Sequence, residues 1–146
     1  MTRTPVFAAN WKMHKTVSEA MNFTEVFLPQ IASITNILIV IAPPYTALAA
    51  VSSACTGSNV FTSAQNVHEE NHGAFTGELS VDMLKEAGAS HVIIGHSERR
   101  HLYGETDAVI NFKIQASLDA GLRPIVCIGE TLEERETERT HAVLAN

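Results

Sequence analysis

Cysteines, basic residues and long apolar runs are all scarce in this sequence, and each shortage argues against a class of protein. The two cysteines, Cys55 and Cys127, lie far apart with no C-x-x-C, which predicts buried thiols of a reducing cytoplasm rather than a disulfide framework. With 10 Lys and Arg against 16 Asp and Glu, the net charge is −6, which argues against nucleic acid or an anionic membrane surface as partner. The longest fully apolar run, Ile37–Pro44, is too short to span a bilayer.

The sequence does have enough apolar material for a core. Hydrophobic residues make up 45% of its 146 residues, which argues against disorder. No linker, low-complexity tract or charge block divides the chain, so we expect one domain over residues 1–146. The first ten residues lack the apolar core of a signal peptide, and we expect a cytoplasmic protein.

Short apolar and β-branched runs predict five strands. The second is apolar at every position, as a parallel strand buried on both faces must be. The five predicted strands are Val6–Ala9, Ile37–Ala42, Val60–Ala64, His91–Ile94 and Pro124–Ile128.

Capping signals predict helices between these strands. Thr16 with Glu19, and Thr131 with Glu134, form T-x-x-E capping boxes, and Ser80 is the expected N-cap of a short helix. The predicted helices cover residues 16–31, 46–55, 81–87, 106–120 and 131–146. The alternation of strand and helix predicts an α/β fold, either an open doubly wound sheet or an arc of a parallel barrel. No G-x-G-x-x-G follows the first strand, which disfavours dinucleotide binding.

Polar and ionisable residues follow two of the strands directly. The first strand leads into Asn10, Trp11 and Lys12, and the fourth leads through Gly95 into His96, Ser97 and Glu98. In parallel α/β folds, active sites lie at the carboxyl ends of the strands. These two junctions are therefore the predicted functional site.

Several segments resemble those of the triosephosphate isomerase family, in that family's own order. They are AANWKMHKT (8–16), APPYTAL (42–48), SAQNVHEENHGAFTGELSVDMLKEAGA (63–89), VIIGHSERR (92–100) and IVCIGETLEERE (125–136). The resemblance selects an eight-stranded βα-barrel of roughly 250 residues over the open sheet. These 146 residues would then form a partial barrel of five parallel strands with open edges, which we expect oligomerisation to complete.

The resemblance implies an isomerase that interconverts dihydroxyacetone phosphate and glyceraldehyde 3-phosphate without a cofactor or a metal. His96 would be the electrophile that stabilises the enediolate, and a helix N-terminus behind it would favour its neutral form. Lys12 would bind the substrate as a cation, Glu98 would contact this lysine and assist proton shuttling, and Asn10 and Ser97 would support substrate binding.

Each of these residues also has a purely structural interpretation. Lys12 could be an ordinary solvated lysine and Asn10 a cap at the end of its strand. For Glu98 the structural alternative is an ion pair with Arg99 or Arg100 at a helix end.

Residues 65–80 resemble the family's long third loop, which inserts into the neighbouring subunit in full-length dimers. Its tip carries Phe75, Thr76 and, after Gly77, Glu78. An aromatic side chain between glycines predicts a contact surface, so these three residues are the expected interface. A mobile surface loop is the alternative.

The same loop contains a zincin-like pattern, His68-Glu69-Glu70-Asn71-His72. H-E-x-x-H binds zinc only on a helix, where residues i and i+4 share a face. Here the pattern follows a strand and runs into Gly73, which predicts a loop, and the sequence indicates no third zinc ligand. We therefore expect no zinc site.

In the resembled enzyme the catalytic base, the mobile lid and the phosphate-binding loops follow the sixth to eighth strands. We expect this chain alone to have little or no activity, because such groups act as a unit. Two alternatives stay open: a binding or regulatory protein that kept the fold segment without turnover, and a different enzyme that uses His96 and Lys12 on another phosphorylated sugar.

Overall fold

A computed structural model describes residues 3–145 of the chain. Its centre is one parallel sheet in which the spatial order of the strands equals their order in the sequence, β1-β2-β3-β4-β5. The strands are β1 (Val6–Asn10), β2 (Leu38–Ala42), β3 (Val60–Ala64), β4 (His91–Ile94) and β5 (Arg123–Val126). A doubly wound sheet would reverse direction at a switch point. This uninterrupted order is instead that of a curled half-barrel, as predicted.

Seven helices connect and follow the strands in the described part of the chain. They are α1 (Val17–Ile31), α2 (Tyr45–Cys55), α3 (Val81–Glu86), α4 (Ser97–Tyr103), α5 (Asp107–Asp119), α6 (Leu132–Glu136) and α7 (Thr140–Leu144). Both predicted capping boxes are present, with Thr16 before α1 and Thr131 before α6. Ser80 caps α3 by accepting a hydrogen bond from the Met83 amide.

The core lies between the outer face of the sheet and the helices. Four of the five residues of β2 are buried, as are all four of β4. Burial of both strands agrees with the continuous apolar sequence of β2 and with the apolar residues that follow His91 in β4. Two apolar clusters fill the space: one joins β2 to α1 and α2, and the other joins β4 to α3 and α5.

The first strand is exposed along almost its whole length. Val6 and Phe7 keep 54% and 63% of their surface exposed, because β1 has a neighbour on one side only. An open edge and a barrel interior without opposing strands were expected for five strands of a barrel.

Three differences from the predicted elements exceed one residue. The last predicted helix is interrupted between α6 and α7, because Glu138 has a left-handed φ of 57° that an α-helix does not accommodate. Its predicted end at Asn146 lies outside the described residues. β5 stops at Val126 instead of Ile128, and α4 was not predicted as a separate helix. In residues 3–145, no helix is long and apolar enough to cross a bilayer.

Candidate functional site

The carboxyl ends of β1 and β4 bring together side chains that are far apart in the sequence. Lys12 lies two residues beyond β1, and Glu98 lies in the first turn of α4, directly after the loop that follows β4. The Lys12 Nζ atom donates a hydrogen bond of 2.6 Å to Glu98 Oε1 across 86 positions of the sequence. This contact brings the two predicted junctions together at the carboxyl end of the sheet.

Lys12 is held in an unusual backbone conformation. Its φ is +53°, a left-handed value that costs a non-glycine residue about 1–3 kcal/mol and persists only when neighbours enforce it. The Lys12 amide donates to Asn10 Oδ1 at 2.9 Å, and its carbonyl oxygen accepts from Gln65 Nε2 at 2.9 Å. Asn10 therefore acts on the backbone of Lys12, a contact that a cap at the end of β1 also makes.

Gln65 is a site residue that sequence reasoning missed. The same Nε2 atom also donates to the Ala42 carbonyl at 2.9 Å, so one amide ties the ends of β1 and β2 to the end of β3. The signal was available, because Gln65 directly follows β3 just as the predicted residues follow β1 and β4.

The ion pair between Lys12 and Glu98 is about half exposed, with 49% and 45% of the two side chains accessible. The hydrogen bond from Lys12 lowers the pKa of the Glu98 carboxyl from its usual value, so this group is a carboxylate at neutral pH. The alternative partners predicted for Glu98 were wrong, because Arg99 binds Glu105 and Arg100 binds Asp107.

His96 is the N-cap of α4 and turns its ring toward the start of that helix. Its Nδ1 atom accepts a hydrogen bond from the Glu98 amide at 3.2 Å. A backbone amide can only donate, so Nδ1 carries no proton and a neutral ring is protonated at Nε2. Glu98 Oε2 lies 3.5 Å from Nδ1, a contact between two acceptors in this form and not an ion pair.

Gly95 makes the turn between β4 and His96 possible. It has a φ of +72°, which glycine adopts without the steric cost of a side chain. A Cβ atom here would lie 3.1 Å from both Arg100 Nη2 and Ile110 Cδ1. The glycine thus meets a conformational requirement and a packing requirement together.

A cleft of about 290 Å³ lies beside His96 between the ends of β4 and β5. Ser97 lines it and is exposed. A larger cleft of about 630 Å³ lies between the third loop and α5, and four of its lining residues are acidic: Glu69, Glu70, Asp82 and Asp119. The smaller cleft adjoins His96, but neither Lys12 nor Glu98 lines it.

The third loop is an irregular segment, and its H-E-x-x-H pattern does not lie on a helix. His68 Nδ1 accepts from the Glu70 amide at 3.0 Å, and the His68 ring lies against Phe75 with centroids 4.1 Å apart. Within residues 3–145, no group of three or more His, Cys, Asp or Glu could hold a metal ion. At the tip, Phe75 is 43% exposed, and Thr76 and Glu78 are exposed.

The two cysteines are free. Cys55 is buried as predicted, whereas Cys127 is only partly buried because it lies beyond the end of β5 and lines the small cleft. Burial raises the pKa of both thiols from their usual value, which makes both poor nucleophiles.

Comparison with known proteins shows which family this chain resembles in sequence and in backbone. The family model for triosephosphate isomerase matches residues 5–146. The triosephosphate isomerases of Symbiobacterium thermophilum and Geobacter metallireducens are 55% and 52% identical to this chain over 97% of its length. A crystal structure of the Bartonella henselae triosephosphate isomerase superposes with a TM-score of 0.92 and 42% identity, covering 98% of this chain.

The matched proteins are longer than this chain. This chain spans 55% and 57% of the length of the two relatives, and 59% of the chain in the crystal structure. The match over nearly all of these residues, in sequence and in backbone, is nevertheless sufficient for assignment. The chain belongs to the triosephosphate isomerase family.

Proposed function

We propose that this chain supplies one part of a triose phosphate isomerase site, and that Lys12, His96 and Glu98 carry its chemistry. The observation that supports this most directly is the 2.6 Å contact from Lys12 Nζ to Glu98 Oε1, with His96 two residues before Glu98. A cation, an imidazole and a carboxylate thereby lie together beyond the carboxyl ends of β1 and β4. The reaction would interconvert dihydroxyacetone phosphate and glyceraldehyde 3-phosphate, a step of glycolysis and gluconeogenesis.

The three groups have complementary roles in an enolisation. Removal of a proton beside a carbonyl places negative charge on the carbonyl oxygen, and fixed donors lower the barrier by stabilising that oxyanion. His96, protonated at Nε2, supplies a neutral donor, and the Lys12 ammonium supplies a positive charge for the oxyanion and the phosphate. Glu98 keeps Lys12 oriented and is the proposed proton shuttle, while Asn10 and Ser97 assist substrate binding.

The five strands contain no counterpart of the base, the lid or the phosphate loops that the family resemblance implies for later strands. We therefore propose that these 146 residues alone turn over triose phosphates slowly at most. Groups that act as a unit lose nearly all activity when one is absent. The chain would thus hold part of the site and still show little activity.

A chimera tests the proposed function. Residues 1–146 are fused to the C-terminal remainder of the Symbiobacterium thermophilum relative, and isomerase activity is measured in both directions for the chimera and for the unfused chain. We expect activity in the chimera only. In the chimera, His96→Gln should lower kcat roughly 10²–10³-fold by removing an oxyanion donor, and Lys12→Met should also abolish most activity. Lys85→Met on α3 is the matched control and should leave kcat unchanged.

The two alternative functions are outcomes of the same assay. A folded chimera that is inactive on triose phosphates but active on another phosphorylated sugar would assign a different enzyme. A folded chimera without turnover that still binds a phosphorylated ligand would indicate a binding protein. Rapid turnover by the unfused chain would contradict the proposal that the site is incomplete.

We also propose that the chain forms a homo-oligomer in the cytoplasm. The exposed side chains of β1 and the tip of the third loop, Phe75, Thr76 and Glu78, are the surfaces that a second copy would cover. Solvent-exposed apolar edges favour such association. Sedimentation velocity at micromolar concentration should show a species larger than 15.8 kDa, and Phe75→Ser should shift it toward the monomer. A compact monomer at that concentration would contradict the proposal.

A further inference from the structure

The helix that carries the candidate site residues has no buried side chain. α4 is seven residues long, His96 caps it, and Ser97 and Glu98 form its first turn. A helix this short is marginal by itself, and most helices are stabilised by packing an apolar face. Since α4 contributes no residue to the core, its position depends on polar contacts.

Apart from the pair between Lys12 and Glu98, two arginines make those contacts. Arg100 donates from Nε to the Gly95 carbonyl at 2.8 Å and from Nη1 to Asp107 at 2.6 Å, but the Asp107 side chain is 90% exposed. Exposed ion pairs contribute little. Arg99 donates from Nε to Glu105 Oε1 at 2.5 Å, and the Glu105 side chain is only 6% exposed. The tether through Arg99 is therefore the better shielded of the two.

Glu105 is fixed in turn by a buried lysine of α5. Lys113 Nζ lies 2.6 Å from Glu105 Oε1, and the Lys113 side chain is 5% exposed. Lys113 also donates to Asn66 Oδ1 at 2.9 Å, and the Asn66 carbonyl accepts from the Tyr45 hydroxyl at 2.7 Å. This buried network connects α4 to α5, to the loop after β3 and to the start of α2.

Stability alone does not account for the network. Burial raises the pKa of Glu105, but hydrogen bonds from Lys113 and Arg99 outweigh it and leave the pKa lowered. The carboxylate is thus ionised, yet its Oε2 atom is buried without a hydrogen-bond partner. An apolar pair of similar volume is often at least as stable as a buried ion pair. What an apolar pair lacks is a charge that fixes Arg99 in one direction.

We infer that Glu105 and Lys113 are positioning residues for the site: they fix Arg99, and Arg99 fixes the orientation of α4 and hence of His96 and Glu98. Neither residue contacts the site itself. The inference deepens the proposed function and rests on it for its effect on turnover, but the effect on His96 is a property of the chain alone.

Three variants separate positioning from folding. The double variant Glu105→Leu with Lys113→Met replaces the buried charges by apolar side chains and removes the partner of Arg99. Arg99→Met leaves the buried pair intact and removes only the tether to α4. Arg99→Lys keeps a charge without the Nε geometry and should restore the site in part. Lys85→Met, which removes a lysine that joins α3 to the Ala120 carbonyl, is the control.

The first readout is the ring nitrogen spectrum of His96 in the 146-residue chain, assigned by comparison with His96→Gln. The parent and the control should show an unprotonated Nδ1 and a protonated Nε2. The double variant and Arg99→Met, still folded by circular dichroism, should show a mixture of tautomers. Parent-like His96 signals in folded Arg99→Met would overturn the inference, and this variant decides if the double variant does not fold.

The second readout is the kinetics of the chimera. Displacement of a reacting group by about 1 Å can cost roughly 10²-fold in rate, so we expect kcat to fall tenfold to a hundredfold while KM changes less than about threefold. If the parent chimera is inactive but the His96 tautomers change, the proposed function fails and positioning stands. If the chimera is active and Arg99→Met changes neither kcat nor the tautomers, positioning is overturned and the function stands.

Discussion

Gln65 should control the conformation of Lys12, although the two side chains do not touch. Its Nε2 atom donates to the carbonyl oxygens of Lys12 and Ala42, both at 2.9 Å. Gln65→Leu keeps the approximate shape of the side chain and removes both donors. The Ala42 carbonyl still accepts from the Trp11 amide at 3.0 Å, and the exposed Lys12 carbonyl can bind water.

The expected loss of stability follows from these partners. Each hydrogen bond contributes about 0.5–1.5 kcal/mol net, and both acceptors find substitutes, so Gln65→Leu should lower the free energy of unfolding by about 1 kcal/mol. For a chain of this size that corresponds to about 2–4 °C in Tm. Gln65→Glu should cost more, about 2–3 kcal/mol, because a carboxylate would face two carbonyl oxygens without a proton to donate.

A double-mutant cycle tests the mechanism itself. Asn10 and Gln65 hold the amide and the carbonyl of Lys12 from opposite sides, so either substitution should allow its left-handed backbone to relax. Gln65→Leu and Asn10→Ala should then be coupled by at least about 0.5 kcal/mol in urea unfolding. Additivity within about 0.3 kcal/mol would refute the reasoning. Gln115→Leu, on the exposed face of α5, is the control and should change stability by less than about 0.5 kcal/mol.

Three further predictions concern pH and the turn before the site. The lowered pKa of Glu98 means that its pair with Lys12 stabilises the fold fully above the ordinary carboxyl value of about 4.3 and is lost as the pH falls through the lower folded value. The urea midpoints of the parent and Glu98→Gln should therefore converge as the pH falls below about 4.3, and a constant difference from neutral to acid would contradict this. Burial, and then the charge of Arg123, lower the pKa of His91. Its neutral form therefore stabilises the fold above the ordinary pKa of about 6.5, and this stabilisation declines as the pH falls below that value. His91→Phe should flatten the fall in Tm between about pH 7 and 5, and an unchanged slope would show that His91 is not responsible. Gly95→Ala should lower the free energy of unfolding by about 1–3 kcal/mol through its positive φ, measured by urea unfolding, and a neutral result would mean that the turn adapts.

Local sequence signals predicted the elements of this fold well. The capping boxes at Thr16 and Thr131 and the N-cap at Ser80 operate within three residues, and all three are present. The apolar run of β2 predicted a strand buried on both faces. Such signals depend on neighbours in the chain and need no knowledge of tertiary contacts.

Signals that depend on distant partners were weaker. Glu138 interrupts the last helix through a left-handed φ that no local residue pattern required. Helix α4 escaped prediction because SERRHLY has no apolar face, so its helicity depends on a cap and on arginine tethers to other elements. Gln65 follows β3 directly, but its two acceptors, the carbonyls of Lys12 and Ala42, are distant in the sequence, so its contacts were not predicted.

The sequence by itself determined the family, the five βα units and the identity of Lys12, His96 and Glu98 as candidates. The five βα units follow from periodicity and capping. The family and the three candidate residues follow from the resemblance of long motifs in a known order. Only the tertiary structure decided that Glu98 pairs with Lys12 instead of with its neighbouring arginines. It also decided that a buried Lys113–Glu105 pair contacts α4 through Arg99. The physical reason is that ion pairs form between groups that packing brings close together, and separation along the chain gives no measure of that distance.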